Sequence, residues 1–221
     1  MFAHSPIRKR LLNSRLYLVT DQELSGNRET VKTVEQALRG GVDMVQLREY
    51  SLNDSQLFEM ALKVRKLTSK YKALFIVNNR PDIALASGAD GVHLGQDDLP
   101  VPAARKILGK SKLIGVSTHD ISQAKRAIKD WADYIGVGPV YPTQTKKNVV
   151  PPVTLDYVRQ VNKARLPIPF FAIGGIKLHN VEEVLKAGAR RIAVVTGIVG
   201  AHKVAKVAGE YKKILRKYPW V

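Results

Sequence analysis

The chain has 221 residues, 45% of them hydrophobic, and a formal net charge of +17. That length suits one sizeable core, since single cores grow to roughly 250–300 residues before chains divide, and the absence of cysteine excludes disulfides, thiolate chemistry and sulfur-bound zinc. No apolar run approaches the roughly 18 residues of a membrane span, and the N-terminal "MFAHSPIRKRLLNSR" is basic without an apolar core, so a secretory signal is not expected and a cytoplasmic location is the default.

Residues 1–14 read as a basic extension, and one domain is expected over 15–221. Short apolar runs then alternate with amphipathic stretches. The first strand is "RLYLVT" (15–20), followed by the helical pattern "ETVKTVEQALRGG", whose apolar residues recur at three and four and which ends in glycine. "MVQLRE" (44–49) is the second strand, and "DSQLFEMALKVRKLTSKY" is a helix of about four turns. Further strands are "ALFIVN" (73–78), "GVHL" (91–94), "KLIGVS" (112–117), "YIGVGP" (134–139), "PFFAIG" (169–174) and "RIAVVT" (191–196). All eight are nearly continuous in apolar residues, as strands buried on both faces are. Helix starts are expected at Asn53, Asp120 and Asn180, each with Gln or Glu three residues on, and prolines sit near the starts at Pro81 and Pro102.

"GGVDMV", "SGADGV", "DWADYI" and "AGARRI" each close a helix and open a strand. Such a recurring turn implies repeated βα units, and eight of them in this length predict an α/β fold, a (β/α)8 TIM barrel in a single domain. The competing fold is a doubly wound open sheet, which the lack of a "GxGxxG" after the first strand disfavours.

The excess positive charge admits three readings: nucleic-acid binding through counterion release, attraction of an anionic small substrate, or a lysine-rich solvated surface of the kind some thermophiles carry. Much of it lies in "RKRLLNSR", "KVRKLTSKYK" and "EYKKILRKY" on helix faces or near the ends, which favours the third; no nucleic-acid motif stands out.

In these barrels chemistry sits at the C-terminal ends of the strands. Gln46, Arg48 and Glu49 follow the second strand, Asn78, Asn79 and Arg80 the third, Gln96, Asp97 and Asp98 the fourth, and Ser117, Thr118 and His119 the fifth. After the sixth comes "GVGPVYPTQTKKN" (136–148), with Thr143, Thr145, Lys146 and Lys147 exposed straight off a core strand. That stretch is either a polar surface turn or a phosphate grip. Gly174 and Gly175 after the seventh strand are a tight turn or a place where backbone approaches a phosphate; Thr196 after the eighth favours phosphate. Asp97 and Asp98 suit a hard cation such as Mg2+, with one of them capping the helix near Pro100. His93 inside its strand reads as structural, His119 could move a proton, and Ser117 shows no histidine–carboxylate pairing in sequence that would make it a nucleophile.

The blocks "QLRE", "VNN", "GVHLGQDD", "GVSTH", "GPVYPTQTKK", "AIGGI" and "AVVTGI", in this order and spacing over residues 15–200, resemble the thiamine-phosphate synthase (thiamine-phosphate pyrophosphorylase) family. The resemblance implies a Mg2+-dependent transferase that joins a hydroxymethylpyrimidine diphosphate to a hydroxyethylthiazole phosphate and releases pyrophosphate. By the same resemblance Gln46 and Arg48 hold the pyrimidine diphosphate, with Asn78 on the pyrimidine side, and Glu49 and Tyr50 count among the substrate-binding residues. Ser117 contacts the pyrimidine substrate and Lys146 its diphosphate, these two being the catalytic candidates. Thr143, Gln144 and Thr145 hold the thiazole phosphate with Gly175, Val195 and Thr196, and Asp98 and Asn79 are the metal candidates. Two positions depart from the pattern: Tyr50 stands where the family usually has lysine, and Asn79 where it usually has an aspartate that binds Mg2+. Asn79 offers a carbonyl oxygen without charge, and the paired loss leaves local net charge unchanged.

Those departures keep two alternatives open. A thiazole tautomerase of the same barrel would need neither diphosphate nor Mg2+ and would use His119; the complete "YPTQTKK" and the retained Asp98 argue against it. A non-catalytic barrel binding anions or nucleic acid lacks an aromatic platform. The expected partners are therefore the two small substrates, with no membrane, nucleic acid unexpected and a homo-oligomer left open.

Overall fold

The alternation of apolar runs and amphipathic stretches is realised as eight parallel strands, each paired to the next, with the eighth closing onto the first. The computed structural model describes residues 5–143, 145 and 151–219. The strands are β1 (Leu16–Val19), β2 (Met44–Leu47), β3 (Leu74–Asn78), β4 (Gly91–Leu94), β5 (Leu113–Thr118), β6 (Tyr134–Val137), β7 (Phe170–Ile173) and β8 (Ile192–Val194). Around them lie α1 (Pro6–Asn13), α2 (Thr30–Arg39), α3 (Asp54–Lys70), α4 (Pro81–Ala86), α5 (Val101–Leu108), α6 (Ile121–Lys129), α7 (Thr154–Lys163), α8 (Val181–Lys186), α9 (Thr196–Val199) and α10 (Val204–Arg216). The closed ring excludes an open doubly wound sheet. Among the described residues no helix is long and apolar enough to cross a membrane.

Strand alternation divides the apolar residues into two cores. Outward side chains such as Leu16, Leu18, Val45, Phe75, Val92 and Ile114 pack beneath the helices. Inward ones, Tyr17, Met44, Leu74, Ile76, Leu113, Tyr134, Phe171 and Ala193, fill the barrel. Three aromatic rings meet there edge-on, with centroids 6.2 Å (Tyr17–Tyr134), 5.3 Å (Tyr17–Phe171) and 5.7 Å (Tyr134–Phe171) apart. Gly115 makes room for them: a Cβ at that position would lie 2.0 Å from the Tyr134 ring.

Helix starts partly follow their sequence signals. Asn53 and Gln56 form a full capping box, and the Asp120 side chain accepts from the Gln123 N–H. Asn180 does not cap α8; its side-chain oxygen accepts from the Lys177 N–H and its amide donates to the Gly175 carbonyl. Neither Asp97 nor Asp98 caps α5, whose N-cap is Pro100 with no side-chain bond, because Asp98 closes its own turn onto the Gly95 N–H.

Helix α1, from the basic N-terminal stretch, lies across the base of the barrel and inserts Leu11 among the inward residues. It is anchored by the recurring helix-to-strand turn. In three of the four turns an aspartate accepts from backbone N–H groups of a neighbouring strand or its approach: Asp43 from Arg15 and Leu16, Asp90 from Phe75, and Asp133 from Ile114. Each also pairs with a cation. Asp43 meets Lys212 at 2.7 Å, Asp90 meets Arg65 at 2.8 Å, and Asp133 is held between Arg8 and Arg105 at 2.7 Å each. The fourth turn carries Arg190 instead, which donates to the Leu185 and Ala189 carbonyls. Breaking such a screened pair leaves cations and an N–H unsatisfied. Asp133→Ala should therefore lower stability by about 3 kcal/mol in urea denaturation. Asp133→Asn should cost less, because its amide oxygen still accepts from Ile114.

Candidate active site

The strand ends surround a cavity of about 510 Å3 at the C-terminal mouth of the barrel. Of the residues singled out from the sequence, Arg48, Tyr50, Asn79, Asp98, Ser117, Thr143 and Thr145 line it. A smaller pocket of about 20 Å3 adjoins it, lined by Gly175, Val195 and Thr196, and shares Thr143, Thr145, Ile173 and Gly174 as a common wall. Gln144, Lys146 and Lys147 lie outside the described residues.

Arg48 is buried on β2's end, and its guanidinium meets Asp21 at 2.9 Å and lies 5.7 Å from the centre of the Tyr50 ring. One carboxylate and one aromatic ring thus hold a single arginine in a fixed pose. Its Nε is buried without a partner among the described residues, an unspent donor beside the cavity. Asp21 positions Arg48 without lining the cavity, and the strand-end reading passes over it because that reading begins at β2; the "VTD" after β1 carries the same signal.

Glu49 does not reach the cavity. Its carboxylate accepts from the Gln22 N–H at 2.9 Å and the Thr30 hydroxyl at 2.9 Å, tying β2's end to the loop after β1 and to α2. Burial pushes its acid up from the ordinary carboxylate range, opposed by those hydrogen bonds. Asn78 does not line the cavity either; its neighbour Asn79 does, with backbone φ of 60° that asparagine tolerates better than most residues.

Gln46 lies deeper, at the start of a buried polar chain that the sequence does not announce. Its amide donates to the Tyr17 hydroxyl at 2.6 Å, which is 3.0 Å from the Tyr134 hydroxyl. Tyr134 is in turn 3.2 Å from His93 Nδ1, and His93 Nε2 is 3.0 Å from Ser117 Oγ. Burial raises both phenols well above their ordinary value, so both keep their protons. With Gln46 donating at the inner end, the protons run outward: Tyr17 to Tyr134, Tyr134 to Nδ1, and Nε2–H to Ser117. His93 is structural in part, as its strand position implies, yet it is also the histidine that Ser117 lacks in sequence. In this polarity it donates to Ser117 rather than taking its proton. The serine is thus no activated nucleophile, and its hydroxyl proton is free for an acceptor in the cavity.

The lining contributed after β3 and β4 is acidic. Asp97, Asp98 and Asn79 line the same cavity, and one Asp98 oxygen is committed to Gly95. No group of three or more His, Asp or Glu among the described residues could cage a metal alone. The set fits a cation of the Mg2+ type, which takes one or two carboxylates and completes its shell with water and substrate phosphate. His119 also lines the cavity, with Nδ1 against the Gly138 carbonyl, which leaves Nε2 as its other nitrogen.

In the smaller pocket Gly174 and Gly175 both have positive φ, 104° and 63°, and press against the Pro139–Tyr141 segment. A Cβ on Gly175 would lie 2.6 Å from that of Tyr141. The glycine pair is thus both a tight turn and the backbone wall of a pocket; the two readings from sequence do not compete.

The thiamine monophosphate synthase family matches residues 16–198, which span all eight strands and both pockets. The chain belongs to the thiamine monophosphate synthase family. It is 52% identical over 190 residues to the thiamine-phosphate synthase of Shouchella clausii, covering 86% of this chain and 90% of that one. With the thiamine-phosphate synthase of Halalkalibacterium halodurans it shares 48% identity over 203 residues, 92% and 96% of the two chains. The solved thiamine phosphate pyrophosphorylase from Pyrococcus furiosus superposes with a TM-score of 0.86 at 36% identity, covering 97% of this chain and all of that one. The family membership implied by the strand-end blocks is thereby established, and the barrel predicted from the repeated turns is that of the family.

Tyr134→Phe removes the central hydroxyl of the buried chain. It should lower stability by about 1–3 kcal/mol in urea unfolding, with the barrel's circular dichroism unchanged.

Proposed function

We propose that the chain is a thiamine-phosphate synthase, a transferase that joins hydroxymethylpyrimidine diphosphate to hydroxyethylthiazole phosphate and releases pyrophosphate. The observation that carries this reading is the pair of adjoining pockets on one barrel mouth. The larger has a fixed arginine and acidic residues in one lining; the smaller is walled by glycine backbone and threonine; and four residues belong to both. Two anionic substrates held across such a wall have their reacting ends side by side. The sequence identity to thiamine-phosphate synthases over most of the chain supports the same assignment.

In this reading the pyrimidine diphosphate occupies the larger pocket. Arg48, held by Asp21 and Tyr50, offers a fixed positive charge to the diphosphate. Ser117, accepting from His93, offers its hydroxyl proton to the pyrimidine substrate. Asp98, with the Asn79 carbonyl oxygen, would hold Mg2+, which when bound supplies charge that offsets the growing negative charge of the leaving group. By the family resemblance, Lys146 would add charge toward the same diphosphate. The electron-rich aminopyrimidine supports positive charge on its methylene as the C–O bond to diphosphate breaks. The thiazole nitrogen then forms the new C–N bond, with the thiazole phosphate fixed by Thr143, Gln144, Thr145, Gly175, Val195 and Thr196. No general base is required, so positioning and charge stabilisation account for the catalysis.

Incubated with both substrates and Mg2+, the protein should form thiamine phosphate and pyrophosphate in equal amounts, measured by chromatography. Isomerisation of a thiazole phosphate carboxylate without coupling would overturn the assignment in favour of a tautomerase. Lys146→Ala should reduce kcat on the order of a hundredfold, and far more than Lys147→Ala does; equal losses would remove Lys146 from the site. Asn79→Asp, allowed by the same backbone conformation, should lower the Mg2+ concentration needed for half-maximal rate, and an unchanged Mg2+ titration would place the metal elsewhere.

A further inference from the structure

We infer that Lys177 belongs to the smaller pocket and, acting with Thr196, selects a substrate that carries a phosphate dianion over its uncharged alcohol. The inference rests on the reading of that pocket as the thiazole-phosphate subsite and adds to it a residue that neither the strand-end pattern nor the family resemblance marks.

Lys177 follows Gly174, Gly175 and Ile176, and its side chain reaches the lining residue Thr196, with Nζ 2.5 Å from Oγ1. Its backbone is fixed by Asn180, the residue that fails to cap α8. Asn180 Oδ1 accepts from the Lys177 N–H at 2.8 Å, while Asn180 Nδ2 donates to the Gly175 carbonyl at 3.0 Å. One amide therefore sets both the pocket's glycine wall and the lysine beside it.

The charge of this lysine is unanswered. Of the other partly buried cations, Arg8, Arg65, Arg105 and Lys212 each face an aspartate, while Arg28 and Lys112 donate to backbone carbonyls instead. Lys177 has no carboxylate partner among the described residues, and its ammonium is held below the ordinary lysine range by burial alone. A cation drawn partly out of water without an anion is disfavoured until an anion arrives.

The hydrogen-bond polarity points the same way. An ammonium group only donates, so Thr196 Oγ1 accepts from it and must send its own proton elsewhere. Thr196 lines the pocket with Gly175 and Val195, and among the described residues its hydroxyl makes no hydrogen bond besides the one from Lys177. Lysine thus presets the threonine rotor as a donor and keeps two N–H protons of its own. A phosphate monoester supplies both what is missing: negative charge for the ammonium and acceptor oxygens for the hydroxyl. An uncharged hydroxyethyl group supplies neither the charge nor enough oxygens.

The test compares wild type with Lys177→Met and Lys177→Arg in steady-state kinetics. In the methionine variant KM for the thiazole phosphate should rise about tenfold, while kcat and KM for the pyrimidine diphosphate stay at wild-type values; arginine should restore most of the loss. An unchanged KM, or a parallel loss toward both substrates, would overturn the inference. Calorimetric titration with inorganic phosphate alone separates this from the wider reading. Phosphate should bind the methionine variant about tenfold more weakly than wild type, and equal affinity, or no binding to wild type, would overturn the role of Lys177. Should wild type bind phosphate in this way yet form no thiamine phosphate, the synthase reading fails and Lys177 stands. If the methionine variant does not fold, Lys177→Gln, which keeps a polar end without charge, answers the same question.

Discussion

Everything at the mouth of this barrel depends on how its interior is filled. Eight short strands enclose a space that side chains must occupy, and here two tyrosines and a phenylalanine take most of it. Tyrosine rings supply bulk, but each brings a hydroxyl that cannot be left unpartnered in a dry core. The solution is a chain of donors and acceptors that runs from Gln46 through both phenols and His93 to Ser117. Filling the core and orienting a cavity hydroxyl are thus one arrangement. Gly115 is part of it, because only a residue without a side chain leaves space for the Tyr134 ring.

The two ends of the barrel treat charge in opposite ways. At the base, Asp43, Asp90 and Asp133 spend their carboxylates on strand N–H groups and on arginines or lysine, so charge is matched within the fold. At the mouth, Arg48 keeps an unused donor, and Asp97, Asp98 and Lys177 stand without ion-pair partners among the described residues. Matched charge stabilises the fold; unmatched charge is costly to keep and is left available to a ligand. That division places stability at one end and chemistry at the other, the usual arrangement of this architecture. Part of the positive charge is paired on helix faces, as in Lys32–Glu29 and Lys206–Glu210.

Legibility of the site from sequence followed a simple physical line. Residues whose position is set by the strand they terminate were found, because strand ends are visible as the close of an apolar run: Arg48, Asn79, Asp98, Ser117, Thr143, Gly175 and Thr196 all face one of the two pockets. Residues whose role is set by a partner far along the chain were not. Glu49 sits beside Arg48 in sequence, yet Thr30 and the Gln22 N–H draw it away from the cavity. Asp21 and Tyr134 enter through contacts with residues 27 and 41 positions away. Asn180 is a local exception: it carries a helix-cap signature, but bonds to Lys177 and Gly175, three and five residues back, claim its side chain.

The amino-acid order alone determined the number of strands, their boundaries within a few residues, the repeated turn and the family, since each is written in local periodicity or in contiguous blocks. The direction of the polar chain, the fate of each carboxylate and the turn of Lys177 toward Thr196 were decided only in three dimensions. Hydrogen bonds and ion pairs are set by distance in space, and a parallel barrel brings together residues that its own helices keep far apart in sequence.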